Sequence, residues 1–207
     1  MLKKVSNWVV KVLLKGGLLS PEDYEIYLYG VETALLQSIH ILTMLVVGFC
    51  LDAKLETLTF IVFYSIIRIY AGGFHATTKL CCYFISWIMI SSAILIVKLL
   101  PISIMPTFSI GIYSLSLIIV FVLSPVGNKN KPLDLLEIHH YKTIVRKLLL
   151  AELFISVFVY FASVRIFCVI SISLAFVALM LILGTVQNSK SHKPSVSITF
   201  FHNKPAD

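Results

Sequence analysis

The chain has 207 residues, of which 58% are hydrophobic and 13% charged, and its mean hydropathy is +0.95. A soluble domain of this length cannot bury that much apolar surface, so composition excludes a soluble globular enzyme, and it excludes a disordered chain and a disulfide scaffold as well. Seventeen Lys and Arg against ten Asp and Glu leave a formal charge of +7, which in so apolar a chain reports loop charge and membrane orientation rather than a nucleic-acid partner.

The first element predicted is amphipathic. Leu2, Val5, Trp8, Val9, Val12 and Leu13 recur at helical spacing while Lys4, Lys11 and Lys15 gather on another face, the pattern of a helix lying on the inner membrane surface within residues 1–19. It serves either as an anchor or as a docking platform for an amphipathic partner. Lys11 and Lys15 interrupt the apolar run and no small-residue cleavage site follows, so no secretory signal is expected. Gly16, Gly17, Ser20 and Pro21 supply a turn, and Ser20-Pro21-Glu22-Asp23 reads as a helix start with Pro at its first position.

Six apolar segments follow, each near the length needed to cross a bilayer as a helix: Val31–Leu51, Leu55–Ala71, Cys81–Leu100, Ile102–Leu123, Leu148–Val164 and Ile166–Leu183. The second is flanked by Glu56 and Arg68 and spans only if both charges sit at the interfaces. Charge placement supports it. With six spans, fourteen of the seventeen basic residues fall on the side of the N-terminus, and only Lys54, Lys98 and Arg165 fall on the other. Deleting the second span would carry the cluster from Lys129 to Lys147 across the membrane, against the tendency of basic loops to stay cytoplasmic. The expectation is a single all-α polytopic membrane domain: a six-span core over residues 31–183, a polar tail over 184–207, and both termini cytoplasmic.

Chemistry is expected where polar residues sit at membrane depth or at span ends, because lipid penalises them. The junction between the second and third spans, from Arg68 through Gly72, Gly73 and His75 to Cys81 and Cys82, concentrates them. A thiol attacks as its thiolate, and an imidazole within hydrogen-bond reach is the usual means of forming one near neutral pH. On one uninterrupted helix, the seven-residue separation of His75 and Cys82 would leave them about 10 Å apart along the axis, too far for proton transfer. The histidine must fold back, and Gly72-Gly73 gives the backbone that freedom. Thr77 or Thr78 suits the N-cap of the following helix, which puts Cys82 near its first or second turn and Cys81 about 100° around it. The alternative is a structural thiol beside an interfacial histidine.

Within the first span, Glu32, Gln37 and His40 are expected to face the protein or a polar cavity. Glu137, His139 and His140 lack the spacing of a zinc site and His-Glu-x-x-His does not occur, so no metal and no cofactor are expected, and the absence of Gly-x-Ser-x-Gly weakens a serine-hydrolase reading.

The order Arg68, Gly72-Gly73-Phe74-His75-Ala76, Cys82 resembles the signature of the AgrB proteins, membrane cysteine endopeptidases of Gram-positive peptide quorum sensing. Tyr29-Gly30-Val31-Glu32 and Ser124-Pro125-Val126-Gly127-Asn128-Lys129-Asn130-Lys131-Pro132-Leu133 resemble two further AgrB segments in the same order. The resemblance implies an enzyme of the bacterial cytoplasmic membrane with its active site on the cytoplasmic side. Its substrate would be an AgrD-like propeptide with an amphipathic leader, a cysteine-containing centre and an acidic tail. Cys82 would attack the bond before the tail, His75 would move the proton, and the peptide's own Cys or Ser would capture the acyl group as a thiolactone or lactone. It also implies a homodimer. Glu32 would orient His75, bind substrate or form an interhelical ion pair; Arg68 would hold a substrate carboxylate, pair with Glu32 or snorkel to headgroups; Lys79, Lys129 and Lys131 would attract the acidic tail. The rival class is a non-enzymatic peptide transporter or membrane scaffold.

Overall fold

A computed structural model describes residues 2–17, 20, 23–74, 76, 78–127 and 134–191, and every regular element among them is a helix. These are α1 (Leu2–Lys15), α2 (Tyr24–Cys50), α3 (Lys54–Ala71), α4 (Lys79–Leu99), α5 (Met105–Leu123), α6 (Leu135–Ala162) and α7 (Val164–Ser191). Pro21, Glu22 and the tail beyond Ser191 lie outside the described residues.

Each apolar segment is a helix, but the helices and the apolar runs have different ends because a run measures contact with lipid whereas a helix ends where its backbone is capped. α6 shows this most clearly. Asp134 accepts from Leu135 N at 2.6 Å and Glu137 Oε2 accepts from Asp134 N at 3.2 Å, a capping box that starts the helix well before Leu148. α5 starts later than Ile102, after a turn in which Met105 N donates to Pro101 O at 3.1 Å, with Pro106 in its first turn.

Four helices, α2, α4 from Leu80, α5 and α7, are long and apolar enough to cross a membrane. α3 and α6 do not join them because α3 carries Lys54, Glu56 and Arg68 and α6 carries Glu137, Lys142, Arg146, Lys147 and Glu152. The junctions nevertheless alternate between two ends of the bundle. At one end, Arg165 Nε lies 2.7 Å from Glu56 Oε1, and Lys98 Nζ donates to Leu51 O. At the other, the α3–α4 and α5–α6 junctions meet each other and the last turns of α7.

α7 is the central helix, packed against α3, α4, α5 and α6. Its Cys168, Ile170, Leu174, Val177 and Leu181 are wholly buried. Ser171 and Ser173 are buried too, each returning its hydroxyl to its own helix backbone, to Phe167 O and Ile170 O, so neither leaves an unpaired group. α1 packs on α2, with Val10 and Ser6 buried and Tyr24 donating to Asn7 Oδ1 at 3.0 Å. Trp8, at 67% exposure, and Val5 and Val12 remain open, which leaves an apolar stripe for the membrane surface or a partner.

The α2–α3 turn is set by a close approach. Gly48 faces Thr57, and a Cβ there would overlap the Thr57 side chain. Gly48→Val is therefore expected to cost about 1–3 kcal/mol through overpacking, read as a lowered thermal midpoint of the detergent-purified chain; an unchanged midpoint would show that this contact is loose.

Candidate active site

α3 stops where only glycine fits. Gly72 has φ +69° and Gly73 φ +109°, conformations that L side chains rarely adopt. The turn is held from two directions. Val126 N donates to Ala71 O at 2.9 Å and Gly73 N donates to Val126 O at 2.9 Å, so Gly72 and Val126 form a parallel bridge. Phe74 N donates to Met180 O at 2.8 Å, laying the junction across α7. That crossing needs bare backbone on both sides. A Cβ on Gly73 would lie 2.7 Å from Met180 O, and one on Gly184 would lie 2.6 Å from Phe74 N.

Arg68, in the last turn of α3, clamps the same junction by donating from Nη2 to Phe74 O. Its Nη1 is buried with no hydrogen-bond partner among the described residues. Thr78 then caps α4, its Oγ1 accepting from Cys81 N at 3.2 Å, and Cys82 N donates to Thr78 O at 3.1 Å. The cap fixes both cysteines at the start of α4 and separates their surroundings. Cys81 is exposed and Cys82 half-buried.

Cys82 lines a cleft of about 510 Å³ between α2, α3, α4 and the two junctions. Arg68, Tyr64, Phe74, His40 and Gln37 share its wall, and Met44, Phe60 and Met89 are among the apolar groups that line it. The Arg68 guanidinium is within electrostatic reach of both Tyr64 and Cys82. His40 packs its ring against Tyr83 at 5.0 Å between centroids. Val126 and Gly127 complete one rim, and Asn188 Nδ2 holds that rim to α7 by donating to Gly127 O at 2.8 Å.

Of the residues expected from sequence, Arg68, Gly72 and Cys82 meet at the cleft, with Gly73 behind them. Glu32 is half-buried on α2 and does not line the cleft. His75, Thr77, Lys129 and Lys131 lie outside the described residues, as does the side chain of Lys79, and so do Asn128, Asn130, Pro132 and Leu133. Among the described residues no three His, Cys, Asp or Glu side chains converge as a metal site would require.

Tyr64, Tyr141, Met180, Gly184 and Asn188 also build the site, though no motif marks them. Two signals were available. Tyr64 precedes Arg68 by one helical turn, and a lone Gly184 in an apolar helix marks a close backbone approach.

The family model described as Accessory gene regulator B matches residues 3–181. The chain belongs to the AgrB family. The AgrB match runs from α1 into α7 and takes in every cleft residue described above. Among curated relatives, an AgrB-like protein 2 of Clostridium perfringens (strain 13 / Type A) is 26% identical over 138 residues, covering 64% of this chain and 64% of that protein. An AgrB-like protein of Clostridium perfringens (strain SM101 / Type A) is 30% identical over 117 residues, covering 54% of this chain and 55% of that protein. The chain thus spans less than two thirds of the length of either relative. No solved structure is significantly similar to it.

Proposed function

We propose that the chain is a membrane cysteine endopeptidase that processes a quorum-sensing propeptide, with Cys82 as nucleophile and His75 as its base. The observation that carries this reading is the separation of the two cysteines: Cys82 lines the cleft at the start of α4, while Cys81 faces outward. Membership of the AgrB family supplies the substrate class, a short AgrD-like peptide with an acidic tail. The domain is proposed to span the membrane six times with both termini cytoplasmic, on the basis of the basic-residue distribution and the alternating junctions.

The proposed reaction takes Cys82 as nucleophile and His75 as proton carrier. His75 takes the Cys82 proton, and the thiolate attacks the carbonyl carbon of the bond preceding the tail. Collapse of the tetrahedral adduct breaks the C–N bond, His75 returns the proton to the leaving amine, and an acyl thioester remains on Cys82. The peptide's own Cys thiol, or a Ser hydroxyl, then gives its proton to His75 and attacks that carbonyl, expelling the Cys82 thiolate and closing the ring; the proton passes from His75 back to Cys82. Exchange of one thioester for another is nearly balanced in energy, so closure needs a nearby nucleophile and excluded water. Apolar groups such as Met44, Phe60 and Met89 in the cleft wall serve the second need. Arg68 shares the cleft wall with Cys82 and places a positive charge there, the sign that stabilises a developing oxyanion; forming the thiolate falls to His75.

The dyad is tested without substrate by following iodoacetamide alkylation of Cys81 and Cys82 against pH, resolved by mass spectrometry. Cys82 is expected to react selectively below the ordinary thiol pKa of about 8.5, and His75→Ala is expected to remove that advantage while leaving Cys81 unchanged. Equal responses at both cysteines would turn the reading toward a structural thiol and a non-enzymatic role.

A further inference from the structure

A second polar centre lies deep in the bundle, away from the cleft. Glu152 on α6 and Tyr113 on α5 are each 5% exposed, and Ser156, one turn after Glu152, is 1% exposed. Tyr113 stands beside both of them. Yet among the described residues neither carboxylate oxygen of Glu152 has a hydrogen-bond partner, and the Tyr113 hydroxyl and Ser156 Oγ have none beyond one another. Other hydroxyls on that face of α5 behave differently: Ser109 Oγ donates to Met105 O at 2.7 Å and Ser116 Oγ to Ile112 O at 2.6 Å.

Buried polar groups in a folded protein are almost always paired, and each orphan carries a desolvation penalty that nothing offsets. Four oxygens left without an outside partner in one place share the penalty and point to one shared guest. The donor set contains only oxygen, which suits a hard cation rather than a soft one. It holds a single carboxylate, so a singly charged guest leaves the site neutral in a low-dielectric interior, whereas a divalent ion would leave it charged. None of these residues lines the Cys82 cleft.

We infer that Tyr113, Glu152 and Ser156 bind a small monovalent cation, sodium, between α5 and α6. Its structural consequence follows from the packing. α5 rests mainly on α7 and touches α6 little, so a cation coordinated from both helices supplies the link that side-chain packing leaves out. α5 leads into the junction carrying Val126, and α6 carries Tyr141; both residues line the cleft. Occupancy would therefore steady two of its walls. The inference does not depend on the peptidase reading.

The test uses the full-length chain in detergent, with thermal unfolding followed in sodium chloride and in choline chloride at equal ionic strength, and with direct binding of radioactive sodium. The expected result is saturable binding and a midpoint raised by about 3–8 °C in sodium, as a ligand that binds only the folded state produces. Glu152→Gln and Tyr113→Phe are each expected to abolish both effects. Equal midpoints in the two salts with no bound sodium, or a sodium effect that survives in Glu152→Gln, would overturn the inference. A Glu152→Gln chain more stable than the parent in every salt would do so as well, because it would mark the carboxyl as a proton-carrying group without a cation. Should Glu152→Gln fail to fold, Ser156→Ala and the binding measurement on the unaltered chain decide the matter: no bound sodium overturns it.

Discussion

Cys82→Ala and Cys82→Ser are both expected to abolish cleavage of a propeptide presented in proteoliposomes, lowering the rate by about 10⁴-fold or more, as loss of a nucleophile does. The serine variant is the more informative one. It keeps the volume and the cap geometry of α4, so a loss of activity reports chemistry and not packing: a hydroxyl in this position lacks the acidity and nucleophilicity of the thiol. Cys81→Ser is expected to retain the parental rate to within about threefold, well inside the range of exposed substitutions, because Cys81 is exposed and outside the cleft. The readout is release of the acidic tail together with a mass increase on Cys82 when the acyl-enzyme is trapped. Cleavage that persists in Cys82→Ser but vanishes when Cys81 is also removed would reassign the nucleophile to Cys81. Cleavage that survives the double replacement would end the cysteine mechanism, and intact export of uncut peptide would favour a transporter.

That contrast between adjacent cysteines is where the sequence could speak and where it stopped. Helical periodicity and the cap residues predict that Cys81 and Cys82 point in different directions, and Thr78 does cap α4. Local chemistry was enough for that, because a cap and its first turn involve neighbours in the chain. The apolar runs likewise located every helix from α2 to α7, since lipid-length hydrophobicity is a property of contiguous residues. What periodicity could not give was the meeting of residues distant in sequence. Nothing local in Ser124-Pro125-Val126-Gly127 says that Val126 pairs with Gly72, and nothing local in α7 says that Met180 O receives Phe74 N. Hydropathy marks only the apolar half of α6, because a capping box extends the helix through charged residues. Glu152 lies inside an apolar run, and its neighbours on α5 become visible only when the helices are packed.

The distant contacts make a prediction that local propensity would reverse. In a helix interior Gly→Ala ordinarily stabilises by up to about 1 kcal/mol, and Gly184 sits in α7, within the described helix. Gly184→Ala is nevertheless expected to lower propeptide cleavage by about 10²-fold, the scale of a misplacement near 1 Å at a reacting centre. The added Cβ would stand 2.6 Å from Phe74 N and 2.7 Å from Gly73 C, both backbone atoms that no rotamer change can move aside. The junction must withdraw from α7, which strains the Phe74 N to Met180 O hydrogen bond and the Arg68 clamp on Phe74 O. The chain between Arg68 and Cys82 is thereby displaced as a unit, while the helix itself gains propensity. Activity should therefore fall with little change in the thermal midpoint. Gly111→Ala is the matched control, because a Cβ there meets nothing within 4 Å; it should leave cleavage unaltered. Parental cleavage rates in Gly184→Ala would show that the approach of the junction to α7 is not what positions Cys82, and would move the search for the positioning contact to Val126 and the α5–α6 junction.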